Sequence, residues 1–194
     1  MYALSQILMA VAIIVYFVSQ FLGNKKPILS SLIWMIYLGL HTVHYYCLEA
    51  YTGAWLVLLS GIVMFAAGWF NKNKKVIYSL FGASSLVIVL VTVLTWNTAV
   101  SLLPMFNALL CFVIYLIKNP YVSIVLTIVS GVLELIYMVL FASWVGLAFE
   151  IIILLLGIFS LVMMIWGSKV QKQFQQLEQE LDQENAQEPE LEQE

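Results

Sequence analysis

The chain has 194 residues, of which 63% are hydrophobic and 10% charged, and its mean hydropathy is +0.98. A soluble domain is about half apolar and about a quarter charged, so these values exclude a water-soluble fold, a disulfide scaffold and a nucleic-acid-binding protein. All eight cations are lysine, and eight of the eleven acids lie between Glu178 and Glu194. The composition therefore predicts an all-α membrane protein with several spans and a short acidic tail.

Short polar breaks divide the chain into seven apolar segments. A transmembrane helix needs about 20 apolar residues, and these segments are continuous runs of Leu, Ile, Val and Phe rather than the alternating strands of a β-barrel. The predicted spans are 3–22, 28–48, 54–70, 76–95, 100–117, 121–143 and 146–167. The first segment has no basic leader, so we expect it to be retained as a membrane helix.

The lysines predict the orientation of these spans. With seven spans, the segments after the first, third and fifth spans and the C-terminal tail lie on one side. That side carries every cation of the chain: Lys25, Lys26, Lys72, Lys74, Lys75, Lys118, Lys169 and Lys172. Because cytoplasmic loops carry an excess of Lys and Arg, the C-terminus is predicted in the cytoplasm and the N-terminus outside.

The two halves of the chain align when one is shifted by 93 residues. The shift pairs Pro27 with Pro120, Ser30 with Ser123 and Gly53 with Gly146. Residues 1–70 and 100–167 are therefore predicted to be two parallel three-helix repeats, joined by a linker helix at 76–95. This 3+1+3 layout has its axis along the membrane normal, as in small transporters.

Each half carries a polar stripe along one face of its second helix. The first stripe is Ser30, Trp34, Tyr37, His41 and His44, and the second is Ser123, Thr127, Ser130, Glu134 and Tyr137. Spacings of three and four residues place each set on one helical face. His41 and Glu134 occupy matching positions, about 21 Å from the lysine-bearing end at 1.5 Å per residue.

Ionisable side chains at this depth indicate a functional site, because exposure to lipid costs at least a few kcal/mol. We expect a polar cavity between the halves, with Glu134 as its anionic or protonatable group and His41 and His44 as partners. The structural alternative is a hydrogen bond between His41 and Glu134 that joins two bundles, and His44 fits that alternative better. The walls would be formed by aromatic rings that can stack on a flat or cationic solute: Trp34, Tyr37 and Tyr137.

Three further polar positions lie near this predicted site. Pro104 frees a carbonyl in the fifth span, so Asn107, one turn away, lies either beside a hinge or in a tolerated kink. Gln6 is predicted near the outer surface, and Glu150, about 6 Å deep, either at the outer mouth or among the headgroups. The predicted substrate-binding residues are Trp34, Tyr37, His41, His44, Asn107, Glu134 and Tyr137.

The segment after the seventh span is predicted to form two parts. An amphipathic helix over 168–182 is indicated by apolar residues at helical spacing: Val170, Phe174, Leu177 and Leu181. Residues 183–194 are acidic and contain a proline, so we expect disorder there. The tail is either a solvated, solubilising segment or a docking site for a partner.

Nothing in the sequence indicates an enzyme. The chain has no HExxH, GxSxG or P-loop motif. Cys47 and Cys111 lie in apolar segments without the spacing of metal ligands, so we expect no disulfide, metal or cofactor.

Three segments resemble the YgjV family of bacterial inner-membrane proteins: HYYCLEAYTGAW (44–55), SLLPMFNALL (101–110) and SWVGLAFEIIILLLG (143–157). The resemblance covers most of residues 3–167 but not the tail, and it implies a multi-pass protein of the bacterial inner membrane. The positions that fit the family's pattern best are His44, Pro104, Gly146 and Glu150. The predicted layout is also similar to that of the SWEET sugar facilitators and the PnuC vitamin-precursor transporters.

These features predict a transporter or facilitator for an unidentified small polar or cationic solute. The alternative is a membrane interaction or assembly protein whose acidic tail docks a partner. The lipid bilayer is the other expected partner, a homo-oligomer is left open, and nucleic-acid binding is not expected.

Overall fold

The structure is a computed structural model that describes residues 1–23, 25–70 and 73–191. Within these ranges the chain is all-helical, and seven helices contain a stretch long and apolar enough to cross a membrane. The predicted seven-span, all-α membrane protein is therefore confirmed. The helices are α1 (Tyr2–Gly23), α2 (Pro27–Cys47), α3 (Tyr51–Trp69), α4 (Lys74–Leu94), α5 (Leu102–Leu116, preceded by the 3-10 turn Ala99–Ser101), α6 (Pro120–Leu140) and α7 (Trp144–Leu191).

Local sequence explains where two of the helices begin. Pro120 is the first residue of α6, and the Asn119 side chain accepts a hydrogen bond from the backbone N–H of Tyr121 at 3.0 Å. At the start of α4, Asn73 accepts in the same way from Val76 at 3.3 Å. These caps satisfy N–H groups of the first turn that have no partner within the helix.

The turns that follow α2 and α6 share an unusual conformation. Glu49, at φ 59°, and Ala142, at φ 51°, lie in the left-handed region, where glycine is the usual residue. In both turns the next backbone N–H donates to the carbonyl five residues earlier, at 3.0 and 2.9 Å. Each is a Schellman turn that closes the helix end and holds a strained non-glycine residue.

Ala142→Gly is expected to stabilise the protein by about 0.5–1 kcal/mol, because an L-residue in this region is strained by about 1–2 kcal/mol and the greater unfolded freedom of glycine offsets part of the gain. The midpoint of thermal unfolding in detergent should rise. Ala148→Gly, at an exposed position of α7, is the matched control and should lower it. A midpoint that falls in both variants would show that the turn is not strained.

Helix bounds in the two halves correspond at a constant offset of 93 residues. The offset holds at both ends of α2 and α6, at the starts of α3 and α7, and at the last residues of α1 and α5. The strained residues Glu49 and Ala142 are separated by the same number. It is also the shift that aligns Pro27 with Pro120 in the sequence, and α4 lies between the two sets of helices.

Contacts between helices define two trios, α1–α3 and α5–α7. Within them α1 packs along α2 and α2 against α3, while α5 packs along α6 and α6 against α7. Between the trios, α3 meets α5 and α1 meets α7, and α4 lies against α3 and α5. Buried apolar side chains fill these contacts, for example Phe81 of α4 stacked on Phe112 of α5 at 4.7 Å. The outward faces of the helices are apolar, as lipid contact requires.

The last helix is longer than predicted. It continues without a break to Leu191, whereas the sequence predicts an amphipathic extension of this helix over 168–182 and disorder over 183–194. The Glu, Gln and Leu residues of this segment are good helix formers, so local propensity favours continuation. Residues 192–194 lie outside the described residues, as do three side chains of the predicted apolar stripe: Phe174, Leu177 and Leu181.

Candidate functional site

A polar cavity lies at the seam between the two trios. Its volume is about 360 Å³, and its described wall comes from α1, α2, α3, α5, α6 and α7. This volume lies in the range of pockets that hold small ligands. Five residues of the predicted site line it: Trp34, Tyr37, His41, Asn107 and Glu134. The middle parts of the two polar stripes therefore face one shared space, with Ser130 beside Glu134 on the α6 side.

Glu134, on α6, is held by hydrogen bonds from two other helices. Tyr45 Oη of α2 donates to one carboxylate oxygen, and Asn107 Nδ2 of α5 donates to the other at 2.7 Å. The hydroxyl of Ser130 in turn donates to the side-chain oxygen of Asn107. Both carboxylate oxygens thus act as acceptors, as they do in the ionised form. The network fixes the position of the carboxylate at the cavity wall.

His41 is buried at the same wall, with an exposed fraction of 6%. Its Nδ1 lies 3.2 Å from Tyr37 Oη, and its buried Nε2 has no hydrogen-bond partner among the described residues. The direct hydrogen bond to Glu134 that the sequence also allowed is therefore absent from the described structure. A buried nitrogen left unsatisfied costs about 1–3 kcal/mol, so this atom marks a place that a bound molecule would complete.

Aromatic rings run beside these polar groups. The ring centroids of Tyr16 and Tyr37 are 5.3 Å apart, those of Tyr37 and His41 are 5.5 Å apart, and those of His41 and Tyr45 are 4.7 Å apart. These separations are typical of packed aromatic pairs. The rings of α1 and α2 therefore form one continuous series, in which Tyr16, Tyr37 and His41 line the cavity and Tyr45 is fully buried.

Glu150 also lines the cavity, although the sequence placed it at the outer mouth or among the headgroups. A close approach of α6 and α7 at Gly131 explains the difference. A Cβ atom on Gly131 would lie 2.8 Å from Oε1 of Glu150 and 2.6 Å from Leu154 Cδ2. The bare backbone of α6 thus leaves room for the Glu150 side chain beside the seam.

Three other residues at this site were not predicted as ligands. Tyr45 follows His41 by four residues, so the helical spacing that identified His41 also includes it. Tyr16 of α1 and Cys111 of α5 line the cavity as well, but neither belongs to a polar pattern that would have singled it out.

His44 and Tyr137 were predicted as site residues, but the structure places both outside the cavity and fully buried. His44 Nδ1 donates to the carbonyl of Ser5 at 2.8 Å, and its Nε2 accepts from the hydroxyl of Ser143 at 2.8 Å. Tyr137 Oη accepts from the backbone N–H of Gly53 at 3.1 Å. The second helix of each trio therefore contacts the start of the third helix of the other trio.

His44→Ala is expected to destabilise the protein by about 2–4 kcal/mol, because it leaves a cavity and two buried groups, on Ser5 and Ser143, without their partner. His41→Ala is the matched control and should cost less, since His41 has a single hydrogen-bond partner in the described part of the chain, Tyr37. Thermal unfolding in detergent measures both. Equal losses in the two variants would contradict a locking role for His44.

The central cavity is closed on one side and continues toward the other. A second cavity of about 460 Å³, bounded by α1, α2 and α3 near the lysine-bearing end, shares Trp34 and Met64 with it. At the opposite end lie His44, Tyr45 and Tyr137, each at most 1% exposed. The described structure is therefore more open toward the lysine-bearing end.

Seven apolar helices around a buried polar seam define an integral membrane protein with several spans. The chain belongs to the Imp-YgjV family, described as bacterial inner membrane protein, whose sequence model matches residues 3–166. This match confirms the resemblance found in the sequence and the predicted inner-membrane location. No curated protein and no protein of solved structure matches the chain.

Proposed function

We propose that the protein transports a small solute across the inner membrane, or facilitates its passage, with the central cavity as the binding site. The observation that carries this proposal is a ligand-sized space at the seam, lined by a carboxylate and by an imidazole with an unsatisfied nitrogen. Ionisable groups that merely join helices are expected to pair with each other. Among the residues that the structure describes, Glu134 accepts only from Tyr45 and Asn107 and His41 Nε2 has no partner, which supports a ligand site.

The proposed mechanism uses two copies of a three-helix unit, residues 1–70 and 100–167, with α4 as the linker. The common offset of the helix bounds and of the strained turns supports this duplication. Units related by a two-fold axis can rock about a site on that axis and expose it to one side at a time. The contacts of His44 and Tyr137 across the seam would break and re-form as the trios rock.

On this proposal the described structure corresponds to one state of the transport cycle. The lysine distribution supports a cytoplasmic location for the end toward which the cavity is more open. The buried residues His44, Tyr45 and Tyr137 would then form the closed outer gate. On this proposal the structure represents an inward-facing state, and solute would reach Glu134 past Trp34 and Met64.

An uptake screen tests the proposed function. Purified full-length protein in sealed liposomes is exposed to labelled sugars, nucleosides, vitamin precursors and amines, with protein-free liposomes as the control. We expect at least one class to enter faster with protein present and to raise the midpoint of thermal unfolding in detergent. The proposal would be contradicted if the protein transports none of these compounds and none of them raises the midpoint of its thermal unfolding.

A second candidate function is docking of a partner by the acidic tail, and the unbroken extension of α7 to Leu191 favours it. A truncation that removes 170–194 separates the two functions. Transport through the cavity should continue at the full-length rate, because no described residue of that segment lines the cavity. Uptake lost on truncation, in protein that still inserts and purifies as the intact chain does, would show that the tail is needed for transport, whereas a docking function alone predicts no uptake by either chain.

A further inference from the structure

The described wall of the central cavity contains two carboxyl groups and no cationic side chain. Glu134 of α6 and Glu150 of α7 both contribute to it. The lysines lie at the ends of the spans, and the chain has no arginine. Two negative charges that share a space of low dielectric repel each other strongly unless a positive charge balances them. The charge of this cavity therefore favours a cationic occupant.

His41 gives an independent indication of an occupant. Its ring is 6% exposed, and its Nε2 lacks a partner among the described residues. His41 Nδ1 pairs with Tyr37 Oη in either ring tautomer, and Nε2 is then either a lone pair that accepts a hydrogen bond or an N–H that donates one. A polar occupant of the cavity would supply the missing partner in either case.

The aromatic wall suits the same kind of occupant. Trp34, Tyr37 and Tyr16 line the cavity on the side of α1 and α2. A cation over an aromatic face is attracted by the negative charge density of the ring, most strongly where water is excluded. A metal ion fits less well, because no group of three His, Cys, Asp or Glu side chains is arranged as ligands within the described ranges.

We propose that the solute of this cavity is a small organic cation, a primary to quaternary ammonium compound, held between Glu134, Glu150 and the rings of Trp34, Tyr16 and Tyr37. The proposal rests on the transport function proposed above and names its substrate class. Glu150 is central to it, because no hydrogen bond joins its carboxyl group to another described residue. Its charge is therefore available to a ligand.

A comparison of compounds matched in shape tests the proposal. Choline, its neutral carbon analogue 3,3-dimethylbutan-1-ol and the anionic 3,3-dimethylbutanoate are added to the full-length protein, and thermal stabilisation and competition with uptake are measured. A charge-assisted hydrogen bond or ion pair contributes about 1.5–3 kcal/mol, so choline should act at concentrations at least about tenfold lower than its neutral analogue. Glu150→Gln should remove most of that preference, and Glu150→Asp, which keeps the charge, should retain it.

The outcomes separate the substrate class from the transport function. A neutral or anionic compound that binds as well as choline, or is transported in its place, overturns the cation proposal and leaves transport standing. A choline preference that persists in folded Glu150→Gln also overturns the proposal. If the variant does not fold, the wild-type comparison decides alone. If the protein neither transports nor binds any of the tested compounds, the transport function is overturned and the substrate class with it.

Discussion

Glu134→Gln is expected to reduce solute uptake by about 10- to 100-fold while the protein still folds. The substitution keeps the shape of the side chain but removes a charge that accepts hydrogen bonds from Tyr45 and Asn107. A hydrogen bond to a charged group contributes about 1.5–3 kcal/mol, and loss of this amount from solute binding corresponds to the expected factor. The amide also directs an NH₂ group at one of two donors, so the position of Asn107 or Tyr45 changes as well.

The measurement is the initial rate of uptake into liposomes of the solute that the screen identifies, normalised to protein that elutes as a single species. Glu49→Gln is the matched control, because Glu49 lies exposed in the turn between α2 and α3. It should transport at the wild-type rate. Uptake that is unchanged in Glu134→Gln would remove this carboxylate from the mechanism.

Gly53→Ala is expected to cause the largest loss of stability among single-methyl additions, about 2–4 kcal/mol from overpacking and a lost hydrogen bond. An added Cβ would lie 2.5 Å from Tyr137 Oη and 2.6 Å from its Cε1. The Tyr137 ring is 1% exposed, so its neighbours restrict the movement that would relieve this contact. The methyl group also displaces the hydroxyl that accepts from the Gly53 N–H.

For a chain of this size each kcal/mol lowers the midpoint of thermal unfolding by about 2–4 °C, so Gly53→Ala should lower it by roughly 5–15 °C. Gly39→Ala and Gly82→Ala are the matched controls, because an added Cβ meets nothing within 4 Å at either position. Both should leave the midpoint unchanged or raise it, since alanine is the better helix former. A midpoint for Gly53→Ala within the range of these controls would be inconsistent with the tight contact across the seam.

The helices could be predicted from the sequence because lipid imposes a simple pattern. A long apolar run can cross a membrane only as a helix, because its backbone groups must pair within the segment. Pro27 and Pro120 indicate helix starts, because proline suits the first helical position. The conformation of the turns could not be predicted in the same way. Glu49 and Ala142 adopt a left-handed conformation that a glycine would have signalled, and neither residue type predicts it.

The candidate site was predicted in part for the same reason. Polar residues at helical spacing in an apolar helix must share a face, which identified His41 and Glu134. Spacing does not reveal which neighbour lies opposite each turn of that face. His44 and Tyr137 were therefore included in the predicted site, although His44 also fitted a structural role, and residues at the starts of α7 and α3 cover both. The position of Glu150 depended on the close approach at Gly131, which no local pattern encodes.

The most direct test of the account is whether solute and a water-soluble thiol reagent compete at the seam. Cys111 lines the central cavity and becomes the sole thiol once Cys47→Ala is introduced. We predict that Cys111 reacts in the folded protein, that the transported solute slows the reaction, and that labelled protein no longer transports. An unreactive Cys111, or full uptake by completely labelled protein, would contradict passage of solute through this cavity.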